Sequence, residues 1–178
     1  MLKITIPETE FFNEETSEFV KVGKQTLQLE HSLVSLAKWE SKWKKPFLSR
    51  TNKTREETLD YIKCMTLTQN VNPMVYSCLT QKNYAEVEAY ITDPMTATTF
   101  SDKGKPNREI ITAEILYYDM IALNIPFECQ KWHLNRLIAL IRVCSIKNTP
   151  SKKIPKGELA RRNRELNAAR RKAHNTQG

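Results

Sequence analysis

Cys129 and His133 stand four residues apart in a stretch with helical periodicity. On a helix this spacing places a thiol and an imidazole on one face, a combination that serves metal binding or nucleophilic catalysis. Zinc would need two further ligands at a recognisable spacing, and Cys64 and Cys78 have no such partner beside them. No neighbouring residue is placed to orient the imidazole for catalysis. The pattern therefore favours buried cysteines and a hydrogen-bonded histidine over a metal or catalytic site.

Phosphate-binding and acid–base motifs are missing from the sequence. Its four glycines are isolated from one another, whereas a loop that cradles phosphate needs clustered glycines so that backbone amides can approach the anion. The acidic residues within the helical stretches form no catalytic pair, and we predict that they are helix caps and solvated helix faces: Glu56, Glu57, Asp60, Glu114 and Asp119. We therefore predict a protein that is not an enzyme and that carries no cofactor and no metal.

Trp39 and Trp43 lie among four lysines, Lys38, Lys42, Lys44 and Lys45. Aromatic residues interleaved with basic ones can stack on the bases of single-stranded nucleic acid. Both tryptophans, however, continue a stripe of leucines at helical spacing, and the lysines fall on the other side of the helix. We favour a core helix with a solvated basic face.

The positive charge of the chain is concentrated at its C-terminal end. The sequence has 178 residues, with 28 Lys or Arg and 20 Asp or Glu, for a formal net charge of +8. Ten of the basic residues but only two of the acidic ones lie from Lys147 onward, so this stretch alone carries +8 and the preceding residues balance at 18 of each. The chain is therefore a neutral body with a cationic tail.

The tail carries a narrow apolar seam on a helical pattern. Leu159 and Leu166 are seven residues apart, and they are surrounded by arginines. Two leucines cannot offset the cost of ordering such a helix alone, so we expect it to fold onto a partner. Nucleic acid would satisfy the arginines, whereas an acidic protein groove would satisfy the arginines and the seam. The predicted partner-binding residues are Leu159, Arg161, Arg162, Arg164, Leu166, Arg170 and Arg171.

The elements that position these residues follow from the hydrophobic periodicity. Residues 2–6 and 18–22 predict strands of an N-terminal hairpin or small sheet, with Pro7 ending or kinking the first strand. A helical face runs from Leu29 to Trp43, and Thr54 with Glu57 predicts a capping box at the start of the next helix.

The remaining body is predicted to be helical. Two short helices are expected at about 73–80 and 83–92, followed by two long helices, 108–124 and 126–147, that form an antiparallel hairpin at the centre of the core. The predicted fold class is α+β, mainly helical, with a small N-terminal β element packed on a helical body and a basic C-terminal helix. The predicted organisation is a single α+β domain over 1–146 (β element about 1–28, helical body about 29–146), a linker over 147–156, and a helical or disordered basic tail over 157–178.

The sequence contains no recognisable targeting signal, membrane span or disulfide pattern. No apolar run follows a basic N-terminus, and the apolar stretches fall short of the roughly 18 residues that a membrane span requires. Four cysteines are too few for a disulfide framework. We predict a reduced, cytosolic chain with no membrane partner.

Several long strings of the sequence resemble one family of tailed-bacteriophage proteins. They are "TLQLEHSLVSLAKWESKWKKPFL", "ETLDYIKCMTLTQNVNP", "DPMTATTF", "NREIITAEILYYDMIALNIPFECQKWHLNRLIALIRVCSIKN" and "RNRELNAARRKAHNTQG". Together they span nearly the whole chain and are similar to proteins encoded among the tail genes and described as tail assembly chaperones. Asp119 departs from the pattern, because an aromatic residue is expected there in family members.

The resemblance implies a non-enzymatic role in the host cell cytoplasm. A tail assembly chaperone binds the long tape-measure protein, keeps it soluble, helps recruit the major tail protein, and leaves before the virion is complete. Two alternatives stay open: a structural neck or tail-completion protein retained in the virion, and, ranked lower, a nucleic-acid-binding accessory protein that uses the basic tail. An oligomer is compatible with each of these interpretations.

Overall fold

A computed structural model describes residues 1–13, 18–49, 51–100, 110–149 and 156–175 of the chain. The chain divides into two compact units, Met1–Ser145 and Ile146–Gly178. Its regular elements are the strands β1 (Leu2–Ile6), β2 (Thr9–Asn13), β3 (Glu18–Val22) and β4 (Gln25–Leu29), the helices α1 (Leu33–Trp43), α2 (Arg55–Met65), α3 (Gln81–Thr92), α4 (Ala113–Ala122), α5 (Leu134–Asn148) and α6 (Lys156–His174), and the 3-10 helices Pro73–Cys78 and Phe127–Lys131. A small N-terminal β element with a predominantly helical remainder confirms the predicted α+β class.

The four strands behave as one long antiparallel hairpin with a break in its middle. β1 pairs with β4 in the register Ile4↔Leu27, and β2 pairs with β3 in the register Phe12↔Phe19. The register is continuous across the break, which contains Pro7. Because proline has no amide hydrogen, it cannot donate to the ladder, and this explains why the hairpin divides into two short sheets.

Helix α1 begins later than the sequence predicted. We expected a helical face from Leu29 onward, but Leu29 is the last residue of β4, and the helix starts at Leu33 after the N-cap Ser32. Leu27 and Leu29 alternate with polar residues and are both fully buried on the strand. A spacing of four residues fits both a strand and a helix, so the leucine pattern alone did not locate the change of structure.

The centre of the core is α1 rather than a hairpin of two long helices. Helix α1 packs against α2, α4 and the 3-10 helix Phe127–Lys131, and it buries Leu33, Leu36 and Trp39. The predicted helix over 126–147 is divided into that 3-10 helix and α5. The division occurs because His133 forms a bridge with Ser32, which holds the backbone out of the helix at that point.

Local capping fixes the other helices of the first unit. Thr54 and Glu57 form the predicted capping box at the start of α2, so that prediction is confirmed. The two short helices predicted at about 73–80 and 83–92 correspond to the 3-10 helix Pro73–Cys78 and to α3. Asn83, buried at the start of α3, donates from its side-chain amide to the Thr5 carbonyl at 3.3 Å and thereby ties α3 to β1.

The second unit contains α6, which spans 19 residues. Residues 150–155 of the predicted linker and residues 176–178 of the predicted tail lie outside the described part of the chain. Lys147 and Asn148, which were assigned to the linker, instead close α5. In the part of the chain that the structure describes, no helix has the length and apolarity needed to cross a membrane.

Candidate functional site

All seven predicted partner-binding residues lie on α6, and all of them are exposed. They are Leu159, Arg161, Arg162, Arg164, Leu166, Arg170 and Arg171. The two leucines keep 44% and 47% of their surface exposed, which is high for apolar side chains at helical spacing. The side chains of residues 157–175 are without exception exposed, so α6 is a helix whose apolar seam is not covered.

The arginines of α6 fall into two groups around the seam. An α-helix advances by about 100° per residue, so Leu159 and Leu166 lie about 20° apart around the axis and roughly 10 Å apart along it. Arg162 and Arg170 fall within about 60° of the seam by the same geometry. The remaining arginines, Arg161, Arg164 and Arg171, project from the opposite half of the helix. Arg161 makes a local ion pair there with Glu165 at 3.5 Å.

Cys129 and His133 do not share a helical face. Cys129 lies in a 3-10 helix, whereas His133 lies in the extended segment before α5. Both are buried, and His133 Nε2 donates to the Tyr90 carbonyl oxygen at 2.9 Å, which confirms a buried cysteine and a hydrogen-bonded histidine. Within the described ranges there is no group of three His, Cys, Asp or Glu side chains that could hold a metal ion.

A buried histidine pair occupies the junction of the β element and the helices. The rings of His31 and His133 lie 5.1 Å apart, and a hydrogen bond of 2.6 Å joins His31 Nδ1 to the Tyr61 hydroxyl. Burial, followed by the neighbouring His133, lowers the pKa of His31 to about 3, so His31 is neutral at physiological pH. The other ring nitrogen of His133, Nδ1, is buried, and no described group bonds to it.

Nothing in the local sequence indicates the burial of this pair, because the two histidines lie in distant parts of the chain. The backbone explains its burial. His31 lies two residues after the end of β4, and its carbonyl oxygen accepts a hydrogen bond from the Leu134 amide at 2.7 Å. This bond joins the segment after β4 to the start of α5 and encloses the histidine.

Asp60 is buried rather than solvated, which corrects our expectation for this residue, whereas Glu57 is buried and also acts as the predicted cap of α2. Lys45 Nζ donates to Glu57 Oε1 at 2.6 Å, and Lys42 donates to Asp60. Hydrogen bonds from Lys45 and from the Thr54 amide hold the pKa of Glu57 below its usual value. For Asp60, burial raises the pKa, but the bonds from Lys42 and Trp43 outweigh it and leave the value lowered.

These ion pairs also decide between the two interpretations of the tryptophans. Trp39 is fully buried and donates from its indole nitrogen to the Glu57 carbonyl at 2.8 Å. Trp43 is half-buried and donates to Asp60 Oδ2 at 2.9 Å, while its ring stacks on that of Trp39. Two of the flanking lysines, Lys42 and Lys45, form ion pairs with acids of α2. The core interpretation is therefore confirmed for Trp39, and neither indole presents a free stacking platform.

Glu40 is a buried acid that the sequence did not single out. Its two carboxylate oxygens accept hydrogen bonds from the Phe47 amide at 2.7 Å and from the Ala113 amide at 2.8 Å. Thr112, the N-cap of α4, makes no side-chain capping bond, so Glu40 caps α4 from a different helix. An anion is favourable at a helix N-terminus because the first amides there have no partner within the helix. The role of Glu40 is thus to fix α4 against α1.

The first unit also exposes apolar side chains on and beside α4. Tyr118 and Ile121, three residues apart on the helix, are 68% and 60% exposed. Phe127 is half exposed, and its ring stacks against Tyr117 with the centroids 6.4 Å apart. Asp119, where an aromatic residue was expected from the resemblance, is half-buried on the same helix.

Comparison with known proteins gives no match: no family model, no curated protein and no solved structure is significantly similar to this chain. The candidate site therefore rests on the geometry of the chain itself. Among the described surfaces, α6 combines an uncovered apolar seam with a high density of one charge sign, which is the pattern of a helix that binds into a groove.

Proposed function

We propose that this chain is a phage tail assembly chaperone that binds the tape-measure protein and assists assembly of the tail tube without catalysing a reaction. The resemblance of its long strings to that family supports this proposal. The observation that carries it is α6, a helix of 19 residues that exposes Leu159 and Leu166 among arginines.

A protein groove accounts for α6 better than a nucleic acid does. Fully burying a leucine contributes about 1.5–3 kcal/mol, and phosphates offer no apolar surface that would bury Leu159 or Leu166. An acidic groove with an apolar floor would bury both leucines and pair Arg162 and Arg170 at its rims. The partner surface is therefore expected to be apolar with flanking carboxylates.

The small size of the seam suits a chaperone that must later release its partner. Two leucines and a few charge pairs give a limited free energy of binding, because the helix also loses conformational freedom when it docks. Such a contact can protect an apolar partner during assembly and then be displaced by the subunits that replace it.

Co-expression with the tape-measure protein of the same phage tests the proposal. We expect the tape-measure protein to remain in the soluble fraction when the wild-type chain is present and to precipitate when it is absent. A Leu159→Ser, Leu166→Ser double variant should lose most of this effect. Lys172→Ala changes an exposed residue on the opposite half of α6 that is not among the predicted partner-binding residues, and this control should retain the effect. If the tape-measure protein is equally insoluble with and without the chain, the proposal is wrong.

Two further measurements separate the alternatives. Abundant peptides of this chain in purified virions would indicate a retained structural protein. A nucleic-acid-binding protein would bind duplex DNA with an affinity that falls steeply between low and moderate salt, because released counterions drive such binding. This affinity would also depend equally on all the arginines of α6.

A further inference from the structure

An open apolar groove lies between α2 and α3, two helices of the first unit. Its volume is about 440 Å³. The apolar side chains that line it are Phe47, Tyr61, Ile62, Tyr84, Val87 and Ile91. Lys53, just before α2, and Glu88, on α3, add one charge of each sign. Thr92 and Glu88 are exposed at the rim, so the groove is open to the surface rather than closed around a cavity.

Lys53 is the unusual member of this lining. Its ammonium group lies 4.5 Å from the centroid of the Phe47 ring, and the residue is half-buried. Burial lowers the pKa of Lys53, and the charge of Glu57 offsets this only in part. Among the described residues, no carboxylate lies within ion-pair distance of its nitrogen. The contact with the Phe47 ring is a cation–π interaction, and it leaves the N–H donors of the ammonium group available to a carboxylate.

The nearby acids are committed to other partners. Glu57 bonds to Lys45 and to the Thr54 amide, and Asp60 bonds to Lys42 and Trp43. Each carboxylate oxygen of these two acids already accepts a hydrogen bond from one of these groups, and none accepts one from Lys53. The fold of α1 and α2 thus satisfies the two neighbouring lysines and leaves Lys53 facing an apolar groove.

We propose that the α2–α3 groove binds an acidic, apolar segment of a partner protein, with a bulky apolar side chain in the groove and a neighbouring carboxylate on Lys53. This inference rests on the proposed function, to which it adds a second docking site on the body of the chain. The open rim favours a segment of polypeptide over a free small molecule, since ligand sites for small molecules enclose most of the ligand. Glu88 on the α3 wall would accept a basic residue of the same segment and so fix its direction.

A peptide selection on the full-length chain tests this site. The probe is a display library of 16-residue amphipathic peptides that carry Leu, Ile, Phe or Met at seam positions and Glu or Lys at the flanking positions, used at physiological salt. The wild-type chain should enrich peptides with a glutamate beside a large apolar residue. Lys53→Glu should weaken the selected peptides at least tenfold, and exchanging their glutamate for lysine should restore binding to this variant. Lys131→Glu, an equal change at an exposed position outside the groove, should bind as wild type does.

The outcomes separate this inference from the proposed function. Selected peptides that bind Lys53→Glu and Lys131→Glu equally well would overturn the groove, as would binding that is lost in the Leu159→Ser, Leu166→Ser variant instead. If laurate saturates the groove and no peptide is enriched, the groove binds a small apolar acid. If the chain forms a dimer that Lys53→Glu abolishes, the groove binds a second copy of the chain. Either result overturns the proposal. Lys53-dependent peptide binding without solubilisation of the tape-measure protein would support the groove and contradict the chaperone function.

Discussion

Helices α1 and α6 contain similar types of residue, but the apolar side chains of α1 are buried and those of α6 are exposed. Both carry leucines at helical spacing, and both are rich in basic side chains. In α1 the apolar residues Leu33, Leu36 and Trp39 are buried at the centre of the core. In α6 the leucines are exposed, and no described side chain of the helix is buried.

The two helices differ in the partners that their own units supply. Three large apolar residues lie within two turns of α1, and acids of α2 meet its lysines in hydrogen-bonded pairs such as Lys42 with Asp60. Helix α6 has one leucine per two turns, and its Arg161 pairs with Glu165 of the same helix. A basic helix therefore indicates external binding only when its apolar seam and its charges both lack partners.

The largest expected effect comes from the same substitution in the two helices. Leu36→Ala removes a fully buried side chain and should lower the free energy of unfolding by about 2–5 kcal/mol, because it leaves a cavity in the core. Leu166→Ala should change it by less than about 0.5 kcal/mol, because surface substitutions have small effects. Urea unfolding followed by tryptophan fluorescence measures both values. Equal losses in the two variants would contradict the assignment of one helix to the core and the other to the surface.

Removal of the Glu40 carboxylate should have an effect of similar size. Glu40→Ala leaves the amides of Phe47 and Ala113 buried without an acceptor, at a cost of about 1–3 kcal/mol for each group. We expect amide hydrogen exchange to increase first at the start of α4, whereas α6 should exchange as in the wild type. Glu165→Ala on α6 is the matched control, and if it matched the loss seen for Glu40→Ala, the capping role would be wrong.

The buried His31 predicts a loss of stability in mild acid. In the folded chain its pKa is about 3, whereas the unfolded side chain titrates near its usual value of 6.5. Below pH 6.5 the unfolded state binds a proton that the folded state excludes, so stability is full above pH 6.5 and falls as the pH decreases toward 3. Between pH 7 and pH 5 this single group should remove about 2 kcal/mol from the free energy of unfolding.

Urea unfolding at pH 7, 6 and 5 measures this dependence. Glu57 and Asp60, whose pKa values are lowered, lose their stabilising effect only below their ordinary values of 4.5 and 3.8, so they do not obscure this range. His31→Asn can still bond to the Tyr61 hydroxyl, and it should be less stable at pH 7 but less sensitive to acid. An unchanged pH dependence in this variant would show that His31 is not the responsible group.

The parts of the fold that follow from local sequence were predictable. The capping box of α2 and the seam of α6 each depend on residues within a few positions of one another, and both were identified from spacing alone. The start of α1 was misplaced because Leu29 and Leu33 fit both periodicities. The break before α5 was missed because it depends on pairing between His133 and Ser32, which lie in distant parts of the sequence.

The candidate binding surfaces divide in the same way. Leu159 and Leu166 could be identified from the sequence, because the polar and basic residues next to them in the chain indicate an exposed helix. Lys53 could not be distinguished from other lysines in the sequence. Its proposed contact with a partner depends on the apolar groove beside it and on nearby acids that bond to other lysines. Glu40 acts on an amide 73 residues away, and no local pattern indicates such a contact.

The smallest expected effect concerns the ion pair within α6. Arg161 Nε and Glu165 Oε1 are 3.5 Å apart, with side chains 79% and 69% exposed, and such pairs contribute about 0.5 kcal/mol or less. Glu165→Gln should therefore leave the urea unfolding midpoint unchanged at physiological salt, whereas Glu57→Gln should lower it clearly, because Glu57 is buried against Lys45. A loss of more than about 1 kcal/mol in Glu165→Gln would mean that α6 is stabilised by contacts beyond its own turns. Its seam would then not be available to a partner, and the distinction between α1 and α6 would fail.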